Sequence, residues 1–506
     1  MGAGEVSTPL YVCVHVPEFP AQAMLRLRPK LSQDAVAVVA GVAPLEVVCS
    51  ANAHAFKLGV AHGMTRAELD SFPTLTVLRR SNDEERTARA ALLEAAGTFT
   101  PRIEVCAGDG EGFVMVLDMT GTARIFGAEE QAAARIARAF AALRFFVQLA
   151  TSANFHAAVS VAPAAREQPI ILPRGQERER LRTLPLSALN LTVRQFETLA
   201  LWGVRTIGEL ADLPEVELVV RLGQEGRRLW LLARGDHPHL MVPIEPVFTL
   251  EEFLAFDAPL ELLDSLLFVI APMLDQLLAR AMNRSYALAS VTVKLGIDGG
   301  REHERTIKPA LPVLQRDGLL KLLHLDLQAH PPGAGVLSIF LHAEPGDRSK
   351  VQMGLFAPQL PEAMRLDVTL ARISALVGSE RVGRATLLDA HRPESFAIEK
   401  FVVPATTTAK EKNIARHSVV LRRCRPPLNV AVQRDGRRLA GFSMDGRRYT
   451  VQEAYGPWRR SGDWWAAGVW SREEWDVRAT ADTDTLLCVI THDLLRHHWQ
   501  LEALYD

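Results

Sequence analysis

YVCVHVPEFPA, residues 11–21, decides how the rest of the chain is read. Tyr11, Val12, Val14 and Val16 favour a pleated backbone, and Pro17 and Pro20 stop the run. A strand this apolar belongs in the centre of a sheet, buried on both faces. Its far end is where a sheet enzyme would place catalytic carboxylates. Here that end reads His15-Val16-Pro17.

Outward from this strand, helices and strands mix. Glu84 to Thr98 reads as an amphipathic helix, closed by Phe99-Thr100-Pro101. Ile103, Val105 and Phe113 to Met119 supply strands, Gly121 to Phe146 an alanine-rich helix, and Ala158 to Ala162 another short strand. Asp109 and Glu111 flank glycines and read as a solvated turn. This mixture favours an α+β fold over a doubly wound parallel sheet.

Further on, LALWGVRTIGELADLP (Leu199 to Pro214) has the pattern of a helix-hairpin-helix, with Gly203-Val204 at the turn and Thr206 capping the second helix. The glycine lets backbone approach a phosphate, and N–H groups free at the second helix start would donate to it. Such contacts place a protein on DNA without reading sequence. Arg205 would add charge, as would Arg227 and Arg228 in the following helix. A plain αα-hairpin with a glycine cap is the competing reading. Pro259 to Met282 then reads as a long amphipathic helix. Val291, Val293, Leu295 and Ile297 mark a strand buried on one face, and Val336 to His342 another. Lys294 and Arg301 are candidate phosphate contacts, or simply an exposed polar face.

At −2, net charge is close to neutral over 506 residues, so nucleic-acid contact would have to come from local basic patches. The length suits about three to five domains. No apolar run approaches the roughly 20 residues of a membrane span, and the N-terminus lacks the basic and apolar regions of a secretory signal. The five cysteines have neither metal-ligand nor redox spacing, which suits a reducing cytoplasm.

In order along the chain, these stretches resemble a Y-family (translesion) DNA polymerase. That family carries an Asp-x-Asp and an aromatic pair on its opening strand. Here the acidic positions fall on His15 and Pro17, and the aromatic pair on Phe19 and Pro20. The family's second palm strand carries Asp-Glu, two residues, then Leu-Asp. Leu117-Asp118 is present, but the Asp-Glu positions fall on Phe113 and Val114. In the fingers, Gly59-Val60 and Gly63-Met64 match. The tyrosine and arginine that contact the triphosphate fall on Ala53 and Phe56, and His54 and Lys57 read as solvated. Nucleotidyl transfer there uses two hard divalent ions held by carboxylates. A fold lacking those groups is expected to hold DNA geometry without building DNA, with no catalytic residues, no metal and no cofactor.

The resemblance implies a right hand: palm over 1–27 and 81–167, fingers over 28–80, and a helix-hairpin-helix thumb over 168–243. A little finger over 244–347 follows, then a clamp-binding linker over 348–360 and a C-terminal partner-interaction region over 361–506. Gln352, Met353, Leu355 and Phe356 resemble the bacterial peptide that docks in the groove of the β sliding clamp. In the C-terminal region Trp458, Trp464, Trp465, Trp470, Trp475 and Trp499 interleave with Arg459, Arg460 and Arg472. They read as a single-strand stacking platform, a small core or a partner surface. The full length, ending in GPWR, GDWW and Tyr505-Asp506, resembles the polymerase-like component of a bacterial damage-induced mutagenesis cassette. That resemblance implies an adaptor in translesion synthesis, cytoplasmic and nucleoid-associated. Its implied partners are the clamp, primer-template or damaged DNA, a RecA-like accessory protein (ImuA) and an error-prone C-family polymerase. The competing expectations are an active polymerase using displaced carboxylates such as Glu18, Asp109 or Glu111, and a protein-interaction module without DNA binding.

Overall fold

The structure, a computed structural model, describes residues 9–505 apart from 107–110, 167, 190, 246, 310, 348–362, 389–394, 400–419, 466–467 and 483. The strand Tyr11–Val16 is third of five in its sheet. It pairs antiparallel with Phe113–Asp118 on one side and Gln148–Ser152 on the other. Ile103–Cys106 and Ile170–Ile171 form the edges. Burial on both faces holds: Val12, Val14 and Val16 on one face and Cys13 on the other are all fully buried. The valine face packs on the helices Asn82–Ala96 and Glu129–Ala142, through Ala88, Leu92, Ile136 and Phe140. The Cys13 face joins a core with the helix Phe155–Val161 and with five helices between Glu177 and Arg234.

One sequence expectation fails in this sheet. Ala158 to Ala162 is not a strand; it belongs to the helix Phe155–Val161 and the 3₁₀ turn after it. Asn154 caps that helix by accepting from the Ala157 N–H at 3.0 Å. Capping and alanine outweigh two β-branched valines. The strand actually present is Gln148–Ser152, just before it.

Residues 36–79 form a separate three-stranded sheet, Val47–Ala51, Val36–Ala40 and Thr76–Arg79 in spatial order. Beyond residue 249, four strands run in the order Arg301–Ile307, Tyr286–Ile297, Val336–Asp347, Leu250–Leu260. The helices Leu263–Asn283 and Arg316–Ala329 share one core with this sheet. The long helix therefore starts later than Pro259, which lies on a strand. Leu263–Asn283 is long and apolar enough to cross a membrane by composition, but its Ile270, Met273, Leu274 and Leu277 are fully buried on the sheet.

A buried ion cluster joins this second sheet to the first. Arg26, at the end of the helix Phe19–Leu25, forks onto Glu252. Arg280 reaches Glu252 at 2.9 Å and Glu94 at 2.7 and 2.8 Å. None of the four residues is more than 3% exposed. Leu27, next to Arg26, is itself part of the second sheet's core.

The chain divides into two compact units at residues 376 and 377. The second unit is β-rich. Seven antiparallel strands between Leu421 and Tyr505 form one sheet around Phe442, Tyr449, Trp475, Val477 and Ile490. A two-stranded ribbon, Arg384–Leu387 with Phe396–Glu399, precedes it.

Candidate functional site

The sheet register puts His15 opposite Val114 and Val16 opposite Phe113. All four positions expected to carry metal-binding carboxylates in a polymerase therefore meet at one end of two adjacent strands. His15 Nδ1 lies 2.7 Å from Gln148 Oε1. The Gln148 amide donates through Nε2 to the carbonyls of Ala165 (2.7 Å) and Pro163 (3.2 Å). Its oxygen is thereby the acceptor, and the network assigns the proton to His15 Nδ1. Burial pushes the His15 pKa down, with the Gln148 hydrogen bond opposing, so the imidazole is neutral near pH 7. Its Nε2 faces Gly112, where a Cβ would stand only 2.7 Å away.

The neighbouring positions are apolar. Phe113 packs on Phe19 with ring centroids 5.3 Å apart, and the Arg89 guanidinium sits 5.1 Å from the Phe113 ring centre. A two-ion centre needs oxygen donors, chiefly carboxylates. His15 offers one neutral nitrogen, while Pro17, Phe113 and Val114 offer no donor, so these residues do not fit that centre. Among the described residues no three His, Cys, Asp or Glu side chains are placed to hold a metal ion.

The displaced carboxylates have other work. Glu18, with φ of 48°, accepts from Ser50 Oγ (2.8 Å), Ala51 N–H (3.0 Å) and, through its other oxygen, His62 Nε2 (3.0 Å). It fastens the three-stranded sheet to the start of the helix Phe19–Leu25. Glu111 pairs with Arg80 at 3.0 Å, and Arg80 also forks onto Glu85. Asp118 is buried against Arg102 and the Thr120 N–H. Asp109 lies outside the described residues. At the expected triphosphate contacts, Ala53 opens a five-residue helix capped by Asn52, and the Phe56 ring lies 5.4 Å from His62, tilted 51° to it. His54 and Lys57 are exposed on that helix.

The hairpin at residues 193–212 is a helix pair, Val193–Leu201 and Ile207–Asp212. Gly203 has φ of +80° with open space around it, so the backbone angle rather than crowding calls for glycine. Val204 is buried in the core. The expectation of free N–H groups at the second helix start is corrected. Glu209 Oε2 accepts from the N–H of Arg205 (2.6 Å) and of Thr206 (3.0 Å), while Thr206 Oγ1 accepts from the Glu209 N–H. The Ile207 N–H donates to Leu184 O. This capping box was readable as Thr206-x-x-Glu209, a signal the sequence reading passed over. The Arg205 side chain stays exposed. Arg227 and Arg228 lie on Gln224–Arg234, beside Glu215 and Glu225. Lys294 pairs with Glu304 at 3.1 Å, and Arg301 is exposed at the strand start. The peptide Gln352, Met353, Leu355, Phe356 lies outside the described residues. Trp475 is core, Trp499 stacks on His492, and Trp464 and Trp465 are exposed.

Residues 14–161, which hold the five-stranded sheet up to its fourth strand and the three-stranded sheet, match the impB/mucB/samB family model. The chain is 25% identical over 425 residues to Protein ImuB of Caulobacter vibrioides, covering 81% of this chain and 90% of that one. It is 29% identical over 246 residues to DNA polymerase IV of Desulfatibacillum aliphaticivorans, covering 47% and 59%. Among solved structures, DinB from Sulfolobus solfataricus is 17% identical with a TM-score of 0.39, covering 66% of this chain and 98% of its own. A Dbh ternary complex, also 17% identical, has a TM-score of 0.39. The chain is thus similar to Protein ImuB over most of both lengths, and to the impB/mucB/samB family over residues 14–161.

Proposed function

We propose that this chain is a non-catalytic polymerase homologue that serves as an adaptor in damage-induced mutagenesis and translesion synthesis. One observation carries the reading: His15, Pro17, Phe113 and Val114 stand together where a polymerase of this family needs carboxylates. The alternative of displaced carboxylates loses ground, because Glu18 is committed to Ser50, Ala51 and His62, and Glu111 to Arg80.

In this reading the thumb holds primer-template DNA by its phosphates through the exposed side chains of Arg205, Arg227 and Arg228, with Gly203, Val204 and Thr206 of the hairpin presenting Arg205 rather than donating their own N–H groups. Gln352, Met353, Leu355 and Phe356 dock on the sliding clamp. ImuA and an error-prone C-family polymerase join the assembly in the cytoplasm, at the nucleoid. The test is simultaneous binding of clamp and labelled primer-template by the full chain. Leu355→Ala with Phe356→Ala is expected to abolish clamp binding and leave DNA binding intact. DNA affinity is expected to fall steeply with added salt. Unchanged clamp affinity in the double variant, or DNA binding indifferent to salt, would refute the respective contact.

A further inference from the structure

In the second unit, a cavity of about 220 Å³ opens on the sheet between Leu421–Asn429 and Trp470–Ala481. Its lining includes Arg423, Trp470, Arg472, Asp493, Gln500 and Glu502. Two donors there are buried and unpartnered among the described residues: the indole Nε1–H of Trp470 and the Nε–H of Arg472. The rest of the Arg472 guanidinium is used, with Nη1 donating to Glu502 at 3.0 Å and Nη2 to Glu474 at 3.4 Å. Arg423 donates to the other oxygen of Glu502 at 3.1 Å. Gly462 makes room for the indole, since a Cβ there would stand 2.9 Å from Trp470 Nε1. Buried donors without acceptors are costly, and both belong to residues that line the cavity.

The charge of the lining narrows the ligand. Arg423 and Arg472 are balanced by Asp493 and Glu502. A phosphate or carboxylate entering would meet two carboxylates. A neutral planar heterocycle bearing both donors and acceptors would meet both kinds of partner. The volume lies below the roughly 300–1,000 Å³ of sites for drug-sized ligands, which suits a single ring system.

The surroundings add the rest of the strand. Gly462 and Trp470 face each other where the hairpin of Arg447–Gly462 and Trp470–Ala481 begins its turn. Beyond them the hairpin presents Trp464 and Trp465, 79% and 71% exposed, edge-on at 5.5 Å. Trp458 and Tyr455 are exposed on the same hairpin, beside the exposed Arg459, which pairs with Glu473 at 2.7 Å, and Arg460, which lies 4.0 Å from Glu474. Bare tryptophans next to arginines offer stacking faces for successive bases and charge for the phosphates between them.

We propose that this face binds single-stranded nucleic acid, one base seated in the cavity against Trp470 and Arg472 and its neighbours stacked on Trp464 and Trp465. Duplex DNA does not compete there, because its base faces are stacked and its pairing edges are used. The site belongs to the second unit and does not depend on DNA contact by the thumb.

The test uses the full chain with fluorescein-labelled oligothymidylate, oligocytidylate and oligoadenylate, and a blunt duplex as the separate probe of the first unit. Trp464→Ala with Trp465→Ala is expected to weaken single-strand binding about tenfold and leave duplex binding unchanged. Trp470→Phe, which keeps an apolar ring but lacks the N–H, is expected to change the ranking among the three oligonucleotides. Oligonucleotide is expected to quench tryptophan fluorescence of the unmodified chain, a readout independent of whether the variants fold. Absence of quenching, or full single-strand affinity in both variants, would overturn the proposal. So would a hairpin variant that loses only a protein partner, which would assign the face to a polypeptide.

Discussion

At His15 the sheet holds an imidazole through Gln148, and that partner was out of reach of sequence reading. His15 and the other three substituted positions lie in short, legible stretches, whereas Gln148 becomes a neighbour only once the register is known. A second histidine gives a sharper test at this scale. His156 packs between His237 and His239, with ring centroids 4.9 Å from each. Burial, then His237, His239 and Arg228, pushes its pKa from 6.5 to about 4. The folded state thus binds this proton more weakly than the unfolded chain. The stability this residue permits is complete above pH 6.5 and is lost as pH falls towards 4. Melting temperature is expected to drop across that window, and less steeply in His156→Asn. Identical slopes for both proteins would show that another group governs the acid limb.

At the scale of the element, the capped hairpin is informative because two roles compete for one set of N–H groups. Thr206→Ala removes the acceptor for the Glu209 N–H and is expected to cost about 1 kcal/mol in urea denaturation. No loss would mean that the cap is not formed in solution. The opening strand, the helix Asn82–Ala96, the hairpin and the strand Tyr286–Ile297 were all legible, because each declares itself through local periodicity and a nearby cap or breaker. The helix Phe155–Val161 was not legible as one. Val159 and Val161 alternate like a strand, and the deciding signal was a single cap residue upstream. Nor did periodicity show that Glu209 closes off the N–H groups a phosphate would need.

Across the first unit, four charged residues far apart in sequence meet out of water, which no local pattern announces. Arg26 and Glu94 come from helices beside the first sheet, Glu252 and Arg280 from the second module. Arg280→Met would leave Glu94 without its arginine and Glu252 with Arg26 alone. The expected loss is about 3–5 kcal/mol of stability by urea denaturation. A loss under 1 kcal/mol would mean that water already reaches the cluster.

These contacts fix the four-stranded module against the five-stranded sheet. Whether the chain is a polymerase homologue that binds DNA without extending it is tested most directly by primer extension. The purified chain would be given a primer-template, all four deoxynucleotides and magnesium, then manganese, with DNA binding measured in the same samples. The expected result is bound DNA and no extended primer with either ion. Extension that disappears in Glu18→Gln or Glu111→Gln would contradict the account and make the chain a polymerase with relocated carboxylates.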